Sequence, residues 1–328
     1  MTQVLLLLNM PEKLRNAFHS VLSAGFPQVT FHVAENAERA DPFLAGSEVL
    51  MTHGPYLSTR ADHILGNMPR LRWVQGTGTG MDNIIDRPAL PAEALVTNMR
   101  GAHGPQMSEA AIGSMIALSR RIPQSIRNQD KHVWERWLPG IIHGKTVGIL
   151  GVGVIAEALA PRCKALGMQV IGISSTVRET EGFDKMVPMT DLLKVVGELD
   201  HLVLLTPLTD ATRNIVNAEV LAAMKPGSYV INLARGGVLD ESALIAALRS
   251  GHLAGAALDV FSKEPLPPEH ELWTMEKIIM TCHMGGLTDY YHLMALPIIE
   301  RNLTHYLAGE YDKLVNIVRL PGWAQGKA

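Results

Sequence analysis

Cysteine is almost absent from this chain, and its scarcity excludes several kinds of protein. Only Cys163 and Cys282 occur among 328 residues, and they lie far apart in the sequence. A small secreted fold held together by disulfides is therefore not expected, nor is a zinc site built from cysteines. We predict a reducing, cytoplasmic environment and no bound metal.

Long hydrophobic runs and an excess of positive charge are missing too. The apolar run from Val4 to Leu8 lacks a basic leader and is too short for a signal peptide or a membrane-spanning helix. The formal net charge of −3 provides no basic field for nucleic acid or for an anionic membrane. We therefore predict that neither nucleic acid nor a membrane is a partner.

What the chain does contain is an ordinary globular composition in a regular arrangement. Apolar residues make up 47%, charged residues 19%, and the length of 328 residues suggests about two domains. Short apolar runs alternate with longer helical patterns, which is typical of βαβ units and parallel sheets. The predicted strands are VLLLLN, EVLMTHG, RWVQGTGTG, KTVGIL, MQVIGI, HLVLLT, SYVINL, GAALDV and KIIMTC. Long helices are predicted at GPQMSEAAIGSMIALSRRI and at DYYHLMALPIIERNLTHYLAGE, the latter apart from Pro297.

These elements predict an α/β protein with two domains. The strands in the middle of the chain are mostly apolar on both faces, as in parallel sheets that are covered by helices on each side. One domain is expected over residues 100–290. The two ends of the chain, residues 1–99 and 291–328, would pack together as the second domain.

A glycine-rich turn follows the strand KTVGIL and opens a helix. Gly151, Gly153 and Ala156 have the G-x-G-x-x-A spacing of dinucleotide-binding turns, and the strand–turn–helix context makes the pattern informative. The amides near Val154 and Ile155, at the helix N-terminus, would face the phosphates. The alternative is a tight turn without a ligand. We predict that the middle domain binds a dinucleotide.

The tip of the next strand lacks the acid that usually holds a ribose 2′-hydroxyl. Ser174, Ser175 and Thr176 stand there, with Arg178 just beyond. A carboxylate would repel a 2′-phosphate, whereas hydroxyls and a guanidinium would bind one. NADP is therefore the predicted cofactor, with NAD as the alternative. In that alternative Arg178 is a solvated loop residue, its charge offset by Glu179 or Glu181.

Polar side chains follow three later strands of the predicted sheet. Arg235 follows SYVINL, Asp259 lies at the end of the strand GAALDV with Glu264 in the loop after it, and His283 follows KIIMTC. Open α/β sheets bind their ligands at this edge. Reduction of a 2-keto acid needs a cation for the carboxylate and carbonyl and a proton donor near neutral pH, which Arg and His supply. A carboxylate beside the histidine would orient its ring and favour imidazolium.

These segments resemble the D-isomer-specific 2-hydroxyacid dehydrogenase family. The similarity extends from about Arg72 to Val318 and is most specific from Gly144 to Thr288. The segments that carry it are GTGTGMDNIID, GILGVGVIAEALA, LLTPLTDATRNIVN, MKPGSYVINLARGGVLDESAL, GAALDVFSKEPLP and CHMGGLT. The resemblance implies a Rossmann-type nucleotide domain inserted into a smaller flavodoxin-like substrate domain. It also implies a homodimer that forms through the nucleotide domain.

The resemblance further implies a role for each matched residue. Arg235 would bind the substrate, His283 would be the general acid or base, and Glu264 would pair with His283. Asp259 would hold the nicotinamide carboxamide. Further cofactor contacts would come from Thr206, Pro207, Leu233, Ala234 and Gly285. Backbone amides of Thr79 and Gly80 would bind the substrate carboxylate.

Two departures and several alternatives remain. Cys282 stands where the family often has Pro, and Ala156 where it often has Gly. The serine at position 174 occurs in NADP-using branches called glyoxylate or hydroxypyruvate reductases. The alternatives are an NAD-linked phosphoglycerate-type dehydrogenase, a formate or phosphite dehydrogenase, and a non-catalytic dinucleotide sensor like the C-terminal binding proteins.

A few residues have no assigned role. His53 and His103 could reach the substrate from the second domain. Partly buried packing, at a dimer contact for example, is expected for Trp134 and Trp137. Met81, Met284 and Trp137 hint at an apolar pocket, but the sequence does not identify which 2-keto acid is used.

Overall fold

The chain forms two units, of which one is built from both ends of the sequence. The computed structural model describes residues 1–324. Unit 1 comprises Met1–His103 and Thr288–Ala328, and unit 2 comprises Gly104–Leu287. The predicted limits of the middle domain, residues 100 and 290, differ from those of unit 2 by a few residues.

The secondary structure alternates between strands and helices over most of the chain. Within residues 1–324 the strands are β1 (Gln3–Leu7), β2 (Thr30–Ala34), β3 (Val49–Thr52), β4 (Trp73–Gly76), β5 (Leu95–Thr97), β6 (Thr146–Leu150), β7 (Gln169–Ser174), β8 (Lys185–Pro188), β9 (His201–Leu204), β10 (Tyr229–Asn232), β11 (Gly255–Leu258), β12 (Ile278–Met280) and β13 (Ile317–Arg319). The α-helices are α1 (Glu12–Gly25), α2 (Asp41–Leu44), α3 (Gly54–Leu57), α4 (Ala61–Gly66), α5 (Gly104–Ser119), α6 (Ile122–Asp130), α7 (Val154–Ala165), α8 (Leu192–Val195), α9 (Ala218–Ala223), α10 (Glu241–Arg249) and α11 (Tyr291–Ala308). None of the helices in this part of the chain has both the length and the apolar character needed to span a bilayer.

The sheet of unit 1 has the order β13-β5-β4-β3-β1-β2. Strands β1 to β5 are parallel, and β13 pairs antiparallel with β5. Strand β1 shows why its sequence is apolar throughout, because Val4 and Leu6 enter one core while Leu5 and Leu7 enter another. Successive side chains of a strand point to opposite faces, so a sheet covered on both sides needs such a run. The parallel order is that of a flavodoxin-like doubly wound sheet.

The sheet of unit 2 is parallel throughout and has the order β12-β11-β10-β9-β6-β7-β8. Val147 and Ile149 of β6 enter one core, and Leu150 enters the core on the opposite face. The order β8-β7-β6-β9-β10-β11 is that of a Rossmann sheet, which β12 extends. The predicted α/β fold with two doubly wound sheets is confirmed. In such sheets ligands bind at the carboxyl ends of the strands, where the strand order reverses.

Helix α11 continues through Pro297, so the expected interruption there does not occur. A proline lacks the amide hydrogen that would bond to the carbonyl of Leu293 four residues earlier. Leu296, Ile299 and Leu303 on the same helix are buried in a core of unit 1. We infer that this burial offsets the missing hydrogen bond.

A buried histidine lies at the start of β9. His201 is almost completely buried, its Nδ1 has no hydrogen-bond partner within residues 1–324, and its ring stacks on Tyr229 with centroids 5.1 Å apart. Burial lowers the pKa of His201 to about 4, with Asp200 opposing this effect and Lys145 adding to it. His201 is therefore neutral in the folded protein at neutral pH.

Acidification should destabilise the protein through this side chain. Below about pH 6.5 an unfolded chain protonates the imidazole, while the folded chain does not until pH 4. The unfolded state then binds more protons than the folded state. The free energy of unfolding therefore decreases as the pH is lowered through that window, by about 2 kcal/mol at pH 5. Urea unfolding at pH 7 and pH 5 should show a smaller loss for His201→Phe, which keeps a ring against Tyr229, than for the unmodified protein. The exposed His143 provides the control substitution, and equal losses for His201→Phe and the unmodified protein would contradict this assignment.

Candidate active site

The turn between β6 and α7 brings a helix N-terminus to the carboxyl end of the sheet in unit 2. Gly151 has φ +100°, and a Cβ there would lie 2.5 Å from the Thr206 backbone nitrogen, so only glycine fits. At Gly153 a Cβ would meet nothing within 4 Å. Ala156 is fully buried in a core of unit 2. The small residues therefore combine close helix packing with open space at the helix terminus.

This helix terminus fits the diphosphate of a dinucleotide. Gly153 caps α7 without a side-chain hydrogen bond. The amides of Val154 and Ile155 donate to no acceptor in the described part of the chain. Unsatisfied amides and the helix dipole together attract phosphate, and the space at Gly153 lets it approach the backbone. The residues present can thus hold the phosphates of a bound cofactor.

The polar tip of β7 contains the residues predicted to select the cofactor. Ser174 ends the strand, is buried, and accepts a hydrogen bond on Oγ from the Thr176 amide at 3.3 Å. The side chains of Ser175 and Thr176 are exposed. Arg178 forms an ion pair with Glu157, in the first turn of α7. Its partner in the structure is therefore an acid of the helix that follows the glycine-rich turn, and the sequence did not suggest this partner.

The segment after β9 lies beside this turn. The Thr206 backbone contacts Gly151, as described above, and Thr206 is buried while Pro207 is exposed. The Thr212 hydroxyl donates to the Pro207 carbonyl at 2.6 Å and accepts from the Thr209 amide at 2.8 Å. These bonds fix the segment in which the resemblance implies cofactor contacts from Thr206 and Pro207.

Arg235 follows β10 in a loop that is fixed by its neighbours. Asn232 donates through Nδ2 to the Arg235 carbonyl at 3.1 Å and accepts on Oδ1 from the Ala234 amide at 3.1 Å. The guanidinium donates to the Ala234 carbonyl at 2.7 Å. A Cβ at Gly236 would come within 1.9 Å of the Phe261 carbonyl, so the loop approaches the segment after β11 directly. Arg235 is therefore held by its own loop at the carboxyl edge of the sheet.

Asp259 connects the strands β11 and β12 at their carboxyl ends. Its carboxylate is buried and accepts from the Thr281 hydroxyl at 2.6 Å and from the Met284 and Gly285 amides at 2.9 Å each. Its backbone carbonyl accepts from the His283 amide at 2.7 Å. Asp259 was predicted to hold a nicotinamide carboxamide. In the structure it also holds the loop that bears His283.

His283 and Glu264 form a hydrogen-bonded pair. His283 Nδ1 lies 2.7 Å from Glu264 Oε2, and the other carboxylate oxygen accepts from the Phe261 amide at 3.0 Å. A carboxylate accepts only, so this contact keeps the proton on Nδ1 and leaves Nε2 as the nitrogen that can exchange one. About a third of each side chain is exposed, at 36% and 35%. The pair can therefore reach a ligand.

Glu264 stays ionised at neutral pH. Burial raises its pKa, but hydrogen bonds from His283 and the Phe261 amide, with the charges of His283 and Arg235, outweigh burial and lower the pKa below its usual value. An ionised carboxylate on Nδ1 fixes the orientation of the ring and compensates positive charge on it. This pair thus has the electrostatics of a general acid for carbonyl reduction.

Cys282 lies next to His283 but outside the strand. Strand β12 ends at Met280, and His283 has the left-handed φ of +52°. Cys282 and His283 are therefore not strand residues, and the alternation of side chains along a strand does not apply to them. Cys282 is exposed and reduced. Within residues 1–324 no group of three or more His, Cys, Asp or Glu residues could hold a metal ion.

In unit 1 the loop after β4 has its carbonyls engaged on one side. The Thr77 carbonyl accepts from the Tyr291 hydroxyl, the Gly78 carbonyl from the Met99 amide at 3.0 Å, and the Thr79 carbonyl from Asn98 Nδ2 at 2.8 Å. Within residues 1–324 the amides of Thr79 and Gly80 donate to no protein acceptor. The loop can therefore offer two amides to an anion, and the family resemblance implies that this anion is a substrate carboxylate.

Both unassigned histidines of unit 1 lie beside this loop. The His53 ring is packed so closely against Gly78 that a Cβ there would lie 2.5 Å from His53 Cδ2. His103 Nδ1 lies 3.1 Å from the Thr79 hydroxyl, and its ring centroid is 5.7 Å from that of Tyr291. Burial lowers the pKa of His103, with a hydrogen bond to Met99 opposing this effect. His103 is therefore neutral at neutral pH.

The placement of the tryptophans and methionines differs in part from expectation. Trp134 was expected to be partly buried, but 93% of it is exposed in the single chain, while Trp137 is half-buried. The segment from Lys131 to Gly140 has no regular structure after its first turn, and Trp134 does not pack into a core there. Met81 belongs to a core of unit 1, and Met284 is exposed.

Comparison with known proteins identifies the family. Residues 112–285 match the model of the D-isomer specific 2-hydroxyacid dehydrogenase NAD binding domain. The chain belongs to the D-isomer-specific 2-hydroxyacid dehydrogenase family. Members of this family are NAD(P)-dependent oxidoreductases, which agrees with the helix terminus and the His283–Glu264 pair described above.

Two curated relatives of this dehydrogenase family differ in length. The chain is 33% identical over 282 residues to a glyoxylate reductase of Pyrococcus furiosus, covering 81% of this chain and 84% of that protein. It is 34% identical over 270 residues to a D-3-phosphoglycerate dehydrogenase of Methanocaldococcus jannaschii, covering 80% of this chain and 50% of that protein. The chain thus spans about half the length of the phosphoglycerate dehydrogenase.

Solved structures of the dehydrogenase family share the whole fold. A family member from Aeromonas salmonicida has a TM-score of 0.86 and 29% identity, with 97% of this chain and 99% of that one covered. The NADPH-dependent glyoxylate/hydroxypyruvate reductase of Sinorhizobium meliloti, solved with NADP and sulfate, has a TM-score of 0.83 and 27% identity, with 98% and 99% covered.

Several residues of the site were not predicted from the sequence. Asn232, Tyr291 and Asn98 hold the two loops through hydrogen bonds, and Glu157 binds Arg178. Asn232 and Arg235 are only three residues apart, and an Asn at the start of a loop often hydrogen-bonds to the backbone of that loop. This spacing could have predicted the contact. The other pairings join distant parts of the chain and left no local pattern.

Proposed function

We propose that the chain reduces a small 2-keto acid to a D-2-hydroxy acid, with a hydride from NADPH and a proton from His283. The His283–Glu264 pair is the observation that carries this proposal. It lies on a loop fixed by Asp259, on the same carboxyl edge as Arg235 and the glycine turn. Family membership supports the reaction class.

The proposed reaction uses few groups of the protein. The amides at the start of α7 bind the cofactor diphosphate, and a bound nicotinamide cofactor supplies the hydride to C2 of the keto acid. Arg235 binds the substrate carboxylate and polarises the C2 carbonyl through its planar guanidinium. His283 Nε2 gives its proton to the carbonyl oxygen as the C–H bond forms, so the product is a neutral hydroxyl. Glu264 stabilises the imidazolium before this transfer and fixes the ring in the productive tautomer.

The amides of the unit 1 loop are proposed to bind a carboxylate as well. The Thr79 carbonyl accepts from Asn98, and the Thr79 hydroxyl lies within hydrogen-bond distance of His103, so this part of the loop is held in place. Two amide hydrogen bonds to a carboxylate are charge-assisted and therefore strong. We propose that these amides bind the carboxylate of a 2-keto acid.

NADP is the proposed cofactor. The tip of β7 bears hydroxyls and no carboxylate, and Arg178 lies just beyond it. This composition suits a 2′-phosphate, for which a carboxylate would be repulsive. The similar structure from Sinorhizobium meliloti, whose name states NADPH dependence, supports the same choice.

A homodimer formed through unit 2 is the proposed assembly. Trp134 is 93% and Leu138 97% exposed, with Val133 and Ile141 also exposed nearby. Contiguous large apolar side chains on the surface mark interaction sites. A cytoplasmic location is proposed because the exposed thiol of Cys282 has no disulfide partner and requires a reducing compartment to remain free.

A substrate survey tests the proposed reaction. The purified protein is mixed with NADPH or NADH and with one keto acid at a time, and oxidation of the cofactor is followed by the decrease in its absorbance. The keto acids are glyoxylate, hydroxypyruvate, pyruvate, phenylpyruvate and 3-phosphohydroxypyruvate. We expect turnover with a small 2-keto acid and preference for NADPH. Turnover only with the phosphorylated substrate and NADH would favour a phosphoglycerate-type dehydrogenase. Cofactor binding without turnover on any substrate would contradict the proposed reaction.

A further inference from the structure

The loop that bears Arg178 is attached to helix α7 at two points. Arg178 forms an ion pair with Glu157, and a Cβ at Gly182 would lie 2.9 Å from the Pro161 ring. Glu157 and Pro161 are four residues apart in α7 and therefore lie on one face of the helix. The loop thus packs along that face, with Arg178 at its phosphate-binding end.

Glu157 competes for the cation that a 2′-phosphate requires. Its carboxylate is in the first turn of the helix whose N-terminus fits the cofactor diphosphate. A guanidinium that binds this carboxylate through Nη2 has fewer donors left for a phosphate. The negative charge of Glu157 also opposes a phosphate dianion brought to Arg178.

The ion pair is exposed enough to be exchanged. The side chains of Arg178 and Glu157 are 54% and 39% exposed. Exposed pairs of this kind contribute at most about 1 kcal/mol, whereas a phosphate–arginine contact is stronger. A depression of about 410 Å³ lined by both residues leaves room for the guanidinium to move.

We propose that Glu157 sets the cofactor preference by holding Arg178 in the free protein. The 2′-phosphate of NADPH then binds Arg178 only by replacing the Glu157 carboxylate as its partner. This inference rests on the proposed 2′-phosphate site at Arg178. Glu157 is a specificity-determining residue in this account, and it weakens NADPH binding without acting on NADH. The preference for NADPH is therefore smaller than the loop composition alone would produce.

The test is a direct binding titration of NADPH, NADH and 2′,5′-ADP, the last of which contains the 2′-phosphate without the nicotinamide. For Glu157→Gln we expect the Kd of NADPH and of 2′,5′-ADP to fall by about fivefold, and the Kd of NADH to stay within about twofold. Glu181→Gln removes one exposed acid from the same loop and should change none of the three values. An equal fall for NADPH and NADH would overturn the inference, since Glu157 would then act on the diphosphate.

Variants of Arg178 separate this inference from the proposed cofactor site. Arg178→Ala should raise the Kd of NADPH and of 2′,5′-ADP about tenfold and leave NADH unchanged. In that background Glu157→Gln should have no further effect, because Glu157 acts through Arg178. If Arg178→Ala is silent, the proposed 2′-phosphate site is wrong. If Arg178→Ala weakens NADPH but Glu157→Gln changes nothing, the site stands and the role of Glu157 is overturned.

Discussion

Replacing His283 should lower kcat for 2-keto acid reduction by about 10²- to 10⁴-fold, the range that a general acid contributes. His283 has a left-handed φ of +52°, so His283→Ala also adds backbone strain. His283→Asn removes the exchangeable proton but tolerates this backbone, because Asn adopts left-handed conformations more readily than Ala does. Both variants should lose turnover, while the Kd of NADPH, from fluorescence titration, stays within about twofold.

A matched histidine variant controls for nonspecific effects. His63 is an exposed histidine of unit 1 that pairs with Asp41, and His63→Ala should keep the kcat of the unmodified protein. A kcat for His283→Asn within about threefold of the unmodified value would contradict the assignment of His283 as the proton donor.

Replacing Arg235 by Gln should lower kcat/KM for the keto acid by about 10²- to 10⁴-fold, since two charge-assisted hydrogen bonds of about 1.5–3 kcal/mol each are lost. KM should rise because the carboxylate loses its partner. In addition, kcat should fall because the carbonyl is no longer polarised. Steady-state kinetics over a range of keto acid concentrations separate the two effects.

The lysine variant distinguishes charge from geometry. Arg235→Lys keeps the positive charge but not the planar fork that binds a carboxylate at two points. We expect the KM of Arg235→Lys to lie between those of Arg235→Gln and the unmodified protein. Its kcat should stay close to that of Arg235→Gln. If Arg235→Gln left both constants within about threefold of the unmodified protein, another group would have to bind the carboxylate.

The fold was predictable wherever strands are buried on both faces. Strands such as β6 and β9 contribute side chains to the cores on both sides of the sheet. They therefore need a continuous apolar run, which is easily recognised in the sequence. The strands β2, β8 and β13 were missed because they lie at sheet edges and carry partly exposed residues. Strand β5 is buried but only three residues long, too short to give a pattern.

The candidate site was predictable in composition but not in its contacts. Motif spacing placed Gly151, Arg235 and His283 at the carboxyl ends of three strands of one sheet, and these are β6, β10 and β12. Contacts such as Glu157 with Arg178 or Tyr291 with Thr77 depend on how distant segments pack. Sequence spacing carries no information on such pairs. The assignment of catalytic and binding roles stays a prediction.

The most direct test of the central claim follows the hydride itself. The best keto acid of the survey that gives a chiral product is reduced with NADPH that carries deuterium at both C4 positions, and the product is examined by mass spectrometry and chiral chromatography. The account predicts one deuterium at C2 and the D isomer alone. A product without deuterium at C2, or a racemic or L product, would contradict the assignment as a D-2-hydroxyacid dehydrogenase.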